Sequence, residues 1–168
     1  MEFGTFLGNE PLKQRLASVL ANGKLHHSYL LCGPAGSGQK AKLANQVAVA
    51  GVMFSVCESL LFAQEAGLDV AQWLELVVPG AAGSTAMGTL GRRLLKTDYA
   101  PGFFIDHFIK DLGLCLEECR RMRLVLPGVT LAEEFYRMMQ AQGHGRLGTQ
   151  ALIQCLATLS GKEWRKHE

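Results

Sequence analysis

Charge is scarce in this sequence. Lys, Arg, Asp and Glu make up 19% of its 168 residues, below the usual share for a soluble domain, so part of its surface is expected to lie under a partner or a second copy. Clustered cations are scarcer still. The 17 basic and 15 acidic residues leave a net charge of +2, and the densest basic groups, Arg120–Arg121 with Arg123 and Arg165–Lys166, suit solvated helix faces or ends. Phosphate recognition needs Lys and Arg gathered on one face, so no nucleic-acid partner is expected.

Paired metal ligands are also missing. The five cysteines (Cys32, Cys57, Cys115, Cys119 and Cys155) are odd in number and scattered, with no secretion signal before them. They read as buried, reduced thiols of a cytoplasmic protein. Cys115 and Cys119 share a helical face, but no second His or Cys pair completes a zinc site, so no metal is assigned. Long apolar runs are absent too. The most apolar stretch, Val47–Cys57, stops at Glu58, short of the about 20 residues a membrane-spanning helix needs. Met1-Glu2-Phe3-Gly4-Thr5 could be encoded by two adjacent restriction sites and is set aside as a cloning remnant.

What remains is enough for one domain: 48% of residues are hydrophobic and can bury a core. Pro11–Asn22 has helical apolar spacing (Leu12, Leu16, Val19, Leu20) ended by Gly23, and Ser28–Cys32 reads as a short strand. Gly33-Pro34-Ala35-Gly36-Ser37-Gly38 reads as a loop. One long helix is expected over Gln39–Ala66, apolar nearly all round at Val47–Phe54, which predicts a central position completed by another subunit. Gly67 stops it and Asp69 caps the next helix, to Val78. Further helices are expected from Ser84 to Lys96, from Asp106 to Leu126, from a Thr130 cap with Glu133 and Glu134 in its first turn, and over Gln150–Leu159 before a polar tail. Pro101-Gly102 and Gly143–Gly148 break the chain between them. The fold class is therefore mainly α: a helical bundle around one long central helix, with a short helix–strand segment in front. Ser28–Cys32 has no strand partner in its own chain, so it either pairs across a dimer or does not form.

Gly33 to Gly38 have the spacing of a P-loop, GxxxxGK[ST]. Its lysine position holds Gln39 and its hydroxyl position Lys40, so both side chains that neutralise phosphate and bind magnesium are missing. Phe6-Leu7-Gly8-Asn9-Glu10-Pro11-Leu12-Lys13-Gln14, His27-Ser28-Tyr29-Leu30-Leu31 and this loop nevertheless resemble the start of a delta-prime clamp-loader subunit of the AAA+ class. The strands and the apolar Asp-Glu motif that ATP hydrolysis would need do not follow.

The same glycines fit a second pattern. Gly33-x-x-Gly36-x-Gly38-x-x-x-Lys42-x-x-Asn45, with Glu58-Ser59, Ala66-Gly67-Leu68-Asp69, Gly80-Ala81-Ala82-Gly83-Ser84, Pro101–Asp106, Lys110-Asp111-Leu112 and Leu126-Pro127, resembles the β-hydroxyacid dehydrogenase family. That family includes 3-hydroxyisobutyrate dehydrogenases and tartronate semialdehyde reductases. The resemblance covers residues 33–168 and implies a helical substrate and dimerisation domain, with residues 39–168 as that domain and 6–38 as the clamp-loader-like fragment. It implies NAD or NADP as cofactor and a small 3-hydroxy acid or semialdehyde as substrate. Oxidation removes hydride from carbon while the hydroxyl loses its proton, and a lysine beside that oxygen can take it and return it. By resemblance Lys42 is this residue. Asn45, on the same helical face, binds substrate or steadies Lys42. Lys110 lies near the substrate carboxylate and nicotinamide, and Asp111 contributes to substrate binding.

Residues 1–32 contain no GxGxxG turn of a dinucleotide-binding βαβ unit. The expectation is thus a dehydrogenase C-terminal domain without its Rossmann half, inactive or nearly so alone and a homodimer. Two alternatives stay open: a structural chimera joined at the glycine loop, and a degenerate P-loop nucleotide-binding module.

Overall fold

The computed structural model describes residues 37–167 and, before them, Gln14 alone, which is helical as the reading of Pro11–Asn22 predicts. The rest of the expected 11–22 helix, the expected 28–32 strand and Gly33–Gly36 lie outside the described residues, and with them the clamp-loader likeness of residues 6–38 and the expected remnant 1–5. The chain divides into two compact units, residues 1–41 and 42–168, and nearly all the described residues belong to the second. Helices dominate and no strand is present among the described residues; one antiparallel bridge joins Phe104 to Gly148.

Helix α1 (Ser37–Glu65) starts inside the expected loop and is the longest. Of its buried residues, Leu43, Gln46, Ala50, Met53, Cys57, Leu60 and Gln64 recur every three or four positions, and with Val56 and Ala63 beside them form one stripe. Its partners come from most of the remaining chain. Phe54 meets Phe135 edge-on at 5.3 Å, the Cys57 thiol donates to the Gln150 carbonyl at 3.6 Å, and the Cys115 thiol donates to the Leu43 carbonyl at 3.4 Å. Enclosure on all sides is not what the chain achieves by itself: Ala44 and Gly51 stay exposed on the opposite face. The stretch Lys40–Glu65 is long and apolar enough to cross a membrane by length and composition, despite the break expected at Glu58, but half of its most apolar window is buried, as in a core helix.

Helix α2 (Val70–Val77) is capped as expected, the Asp69 side chain accepting from the Gln72 N–H at 2.9 Å. The chain then folds back sharply at Gly83, where a Cβ would stand 1.9 Å from the Val78 carbonyl oxygen. Ser84 accepts from the Met87 N–H at 3.0 Å. The helix expected to run on to Lys96 is instead a π-helical segment (Met87–Gly91) followed by a short α3 (Arg92–Leu95). Apolar spacing cannot distinguish that wider turn from an ordinary one.

Helices α4 (Ile105–Met122) and α5 (Pro127–Ala141) form an antiparallel pair, with Phe108 against Tyr136 at 5.0 Å. Two boundaries differ from expectation. Helix α4 stops at Met122, not Leu126, because Arg123 adopts the left-handed conformation (φ 55°). Helix α5 opens with Pro127 in its first turn, so Thr130 lies inside it and is not its cap. A 3₁₀ turn (Thr149–Ala151) leads into α6 (Leu152–Leu159).

Five helix ends share one arrangement, with a residue of positive φ at Gly67, Thr97, Arg123, Gly143 or Gly161. In each, the next residue's N–H bonds five residues back: Leu68 to Ala63, Asp98 to Arg93, Leu124 to Cys119, His144 to Met139 and Lys162 to Ala157. This motif satisfies carbonyls that a helix end leaves open.

The expected polar tail is a packed strap. The Trp164 indole donates to the Leu94 carbonyl at 2.9 Å, the His167 backbone to Leu95 at 2.9 Å, and the buried Gln64 bonds Glu163 and Arg165. The Trp164 and His167 rings meet at 4.8 Å with their planes tilted by 50°.

Candidate functional site

Lys42 stands near the start of α1 and Asp111 in the first half of α4. Asp111 and Cys115 lie one turn apart on the face of α4 that meets α1, so the thiol contact to Leu43 and the ion pair of Lys42 form one seam. The Lys42 Nζ lies 3.0 Å from Asp111 Oδ1 and 2.9 Å from Oδ2. The carboxylate is only 5% exposed, while the Lys42 side chain is 60% exposed. A buried carboxylate is stable only where its charge is met, and here two groups meet it: the ammonium and the Gln46 amide, which donates to Oδ2 at 2.8 Å. The Asn45 amide in turn donates to Gln46 Oε1 at 3.3 Å.

Lys42, Asn45 and Gln46 form the polar end of a cavity of about 770 Å³. Its walls are mostly apolar: Val49, Val52 and Met53 from α1, Leu90 from the π segment and Phe103 from the loop before α4. Ser84, Thr85 and Thr89 bring hydroxyl groups, and Thr149 and Gln150 close one side. That side is fixed by buried bonds. The Tyr136 hydroxyl donates to the Thr149 carbonyl at 3.0 Å, and the Gln150 amide donates to the carbonyls of Asp98 and Ala100 at 3.2 and 3.1 Å. Burial pushes the Tyr136 phenol well above its ordinary range and the Cys57 thiol up as well, so both hold their protons and serve as donors.

The structure thus brings together three of the four residues singled out in the sequence: Lys42, Asn45 and Asp111. Lys110 is exposed on α4, is not among the cavity's lining residues, and makes no ion pair among the described residues. Adjacent helical residues point about 100° apart, so a buried Asp111 turns Lys110 outwards. Gln46 was missed. The signal available was its position four residues after Lys42, which places both on one face.

The arrangement suits proton transfer at a small polar centre beside an apolar wall. A nicotinamide ring and a small acid fit the size and lining of the cavity. The described lining residues offer a diphosphate little, because Lys42 is the one cation among them. The four described cysteines, Cys57, Cys115, Cys119 and Cys155, are free and buried.

Comparison with known proteins shows a family. The family described as NAD-binding of NADP-dependent 3-hydroxyisobutyrate dehydrogenase matches residues 36–156. A probable 3-hydroxyisobutyrate dehydrogenase-like protein 1, mitochondrial, of Arabidopsis thaliana is 51% identical over 91% of this chain and 45% of its own length. The 2-hydroxy-3-oxopropionate reductase of Escherichia coli is 35% identical over 91% of the chain and 52% of its own. Both matches cover more of the chain than residues 33–168 supply and so run past Gly33 towards the N-terminus. A crystal structure of 3-hydroxyisobutyrate dehydrogenase from Salmonella typhimurium superposes with a TM-score of 0.69 at 26% identity, covering 87% of this chain and 51% of that one. The chain spans about half the length of these relatives.

Proposed function

Because the chain belongs to the β-hydroxyacid dehydrogenase family, in its 3-hydroxyisobutyrate dehydrogenase-like branch, we propose that it supplies the substrate-side and dimer-forming domain of an NAD(P)-dependent 3-hydroxyacid dehydrogenase, with Lys42 moving the proton. The observation that carries this reading is the Lys42–Asp111 pair at the polar end of an apolar cavity.

In oxidation, the Lys42 Nζ first gives up its own proton to solvent and then, as the neutral amine, takes the hydroxyl proton of a 3-hydroxy acid; in reduction the ammonium gives a proton to the semialdehyde oxygen. Asp111 stabilises the ammonium present after the proton is taken. Asn45, exposed at the cavity, orients the substrate oxygen, and the apolar wall excludes water from the reacting carbon. A nicotinamide, when bound, accepts or returns the hydride. Only its ring end finds a matching surface here, so the diphosphate has to be held by residues other than those lining the cavity, and this domain by itself is inactive or nearly so. Lys110 contributes to the carboxylate or cofactor only if those groups reach the exposed side of α4.

The exposed face of α1, with Ala44 and Gly51, is the surface through which two copies pair. Four free, buried thiols suit a reducing compartment, and we place the protein in the cytoplasm. Isothermal titration calorimetry against NADH, a 3-hydroxy acid and ATP tests the assignment, with the mass in solution measured first. Binding of the hydroxy acid, lost in Lys42→Ala, is the expected result. Binding of ATP alone would favour the nucleotide-module alternative carried by Gly33–Gly38. Silence towards all three from a folded protein would favour a structural chimera that keeps the scaffold without the activity.

A further inference from the structure

We propose that Gln46 is a positioning residue: it fixes the Asp111 carboxylate, and through it the place of the Lys42 ammonium at the cavity. The inference rests on the reading of Lys42 as the proton-transfer residue.

Lys42 has a long, flexible side chain that is 60% exposed. An ion pair made by such a side chain normally contributes little, because holding it still costs rotamer entropy and water screens the attraction. Its precision must therefore come from the other partner. Asp111 is 4% exposed and sits on a rigid helix, but a carboxylate can still rotate about its own bonds. Gln46 prevents this rotation. It is 7% exposed, lies one turn after Lys42 on α1, and donates to Oδ2 at 2.8 Å, while Lys42 bridges Oδ1 and Oδ2 at 3.0 and 2.9 Å. Both contacts come from α1, so the carboxylate is gripped between two side chains of one helix face.

The orientation of the Gln46 amide is itself determined. Its NH₂ faces a carboxylate and its carbonyl oxygen accepts from Asn45 at 3.3 Å. Turned over, it would set oxygen against oxygen at Asp111 and nitrogen against nitrogen at Asn45. The result is a directed chain from Asn45 to Gln46 to Asp111, closed by Lys42. The side chain at position 46 has to donate, be neutral and reach one turn across, which glutamine does. Glutamate there would face Asp111 with a like charge.

The test needs no turnover, so it stands apart from the assignment of function. The full chain is acylated with acetic anhydride between about pH 7 and pH 11.5, bracketing the ordinary lysine range, and labelling of Lys42 relative to the exposed Lys96 is read by peptide mass spectrometry. In Gln46→Leu, which keeps the volume and removes both hydrogen bonds, Lys42 should label roughly three to ten times faster, the size of one typical net hydrogen bond. Gln46→Ala, whose vacated space admits water to Asp111, should show a smaller rise. It carries the test if circular dichroism finds the leucine variant unfolded. Asp111→Asn should raise labelling at least as much, and adding Gln46→Leu to it should change nothing further, because Gln46 acts through Asp111. Unchanged labelling in both Gln46 variants, or effects that add in the double variant, would overturn the proposal. So would an Asp111→Asn profile identical to the parent. Loss of hydroxy-acid binding in the calorimetry with these labelling shifts intact would overturn the function and leave Gln46 in its role.

Discussion

Lys42 and Asp111 are 69 residues apart in sequence and 2.9 Å apart in space, one largely in solvent and the other almost wholly buried. That asymmetry makes the two partners unequal. Removing the lysine strands a buried carboxylate on one remaining donor, whereas removing the carboxylate frees a lysine that already reaches water. Lys42→Ala should lower stability by about 1–3 kcal/mol, less than for a fully buried pair because Lys42 is exposed. Asp111→Asn should cost less, and the double variant should recover part of the Lys42→Ala loss. Urea denaturation of the four proteins measures this, and a cycle with no coupling would show that the pair does not form.

Two glycines should respond to alanine in opposite directions. At Gly83 a Cβ would stand 1.9 Å from the Val78 carbonyl oxygen, a backbone atom that cannot step aside, so Gly83→Ala should destabilise by about 1–3 kcal/mol. At Gly51, inside α1, nothing lies within 4 Å. Gly51→Ala should therefore stabilise the single chain by about 0.5–1 kcal/mol, the usual difference in a helix interior. Thermal melts at two protein concentrations check both. If a second copy packs closely on α1, Gly51→Ala should instead weaken the concentration dependence of melting.

Arg123 holds a left-handed conformation that glycine adopts without penalty. Arg123→Gly should stabilise by about 1 kcal/mol, since the hydrogen bonds of the helix end are made by the backbone and survive the change. A lower melting temperature would mean the arginine side chain contributes more than the strain costs.

Asp98 supplies a test in acid. The Arg93 guanidinium beside it, followed by the Ala100 backbone N–H, lowers its pKa from 3.8 to about 2. A folded-state pKa below the unfolded one means a contribution that is complete above the unfolded value and is lost as pH falls through the folded one. Stability should therefore decline between pH 3.8 and about 2 partly through this residue. Asp98→Asn should flatten the pH dependence of the urea midpoint in that window, and an unchanged slope would remove Asp98 from the account.

Most helices were legible in the sequence, because an apolar stripe, a capping Asp69 or Ser84 and a stopping Gly67 are local signals. The boundary near residue 123 was not. Gly67 and Arg123 end their helices with the same backbone bonds, yet only glycine announces the left-handed turn. The start of α5 was misplaced for a related reason: Thr130 has the composition of a cap, but Pro127 already fits the first turn. The π segment was invisible because apolar spacing does not reveal which carbonyl an N–H chooses.

The site divides in the same way. Lys42 and Asn45 were legible as a motif on one helix, where spacing alone sets which residues share a face. That Asp111 is buried against Lys42, that Gln46 grips it, and that Lys110 turns away are matters of how α1 crosses α4. The sequence by itself determined the helices, the family resemblance and the lysine to look at. Only the tertiary structure decided which carboxylate that lysine meets, because a contact across 69 residues depends on packing, not on any local pattern.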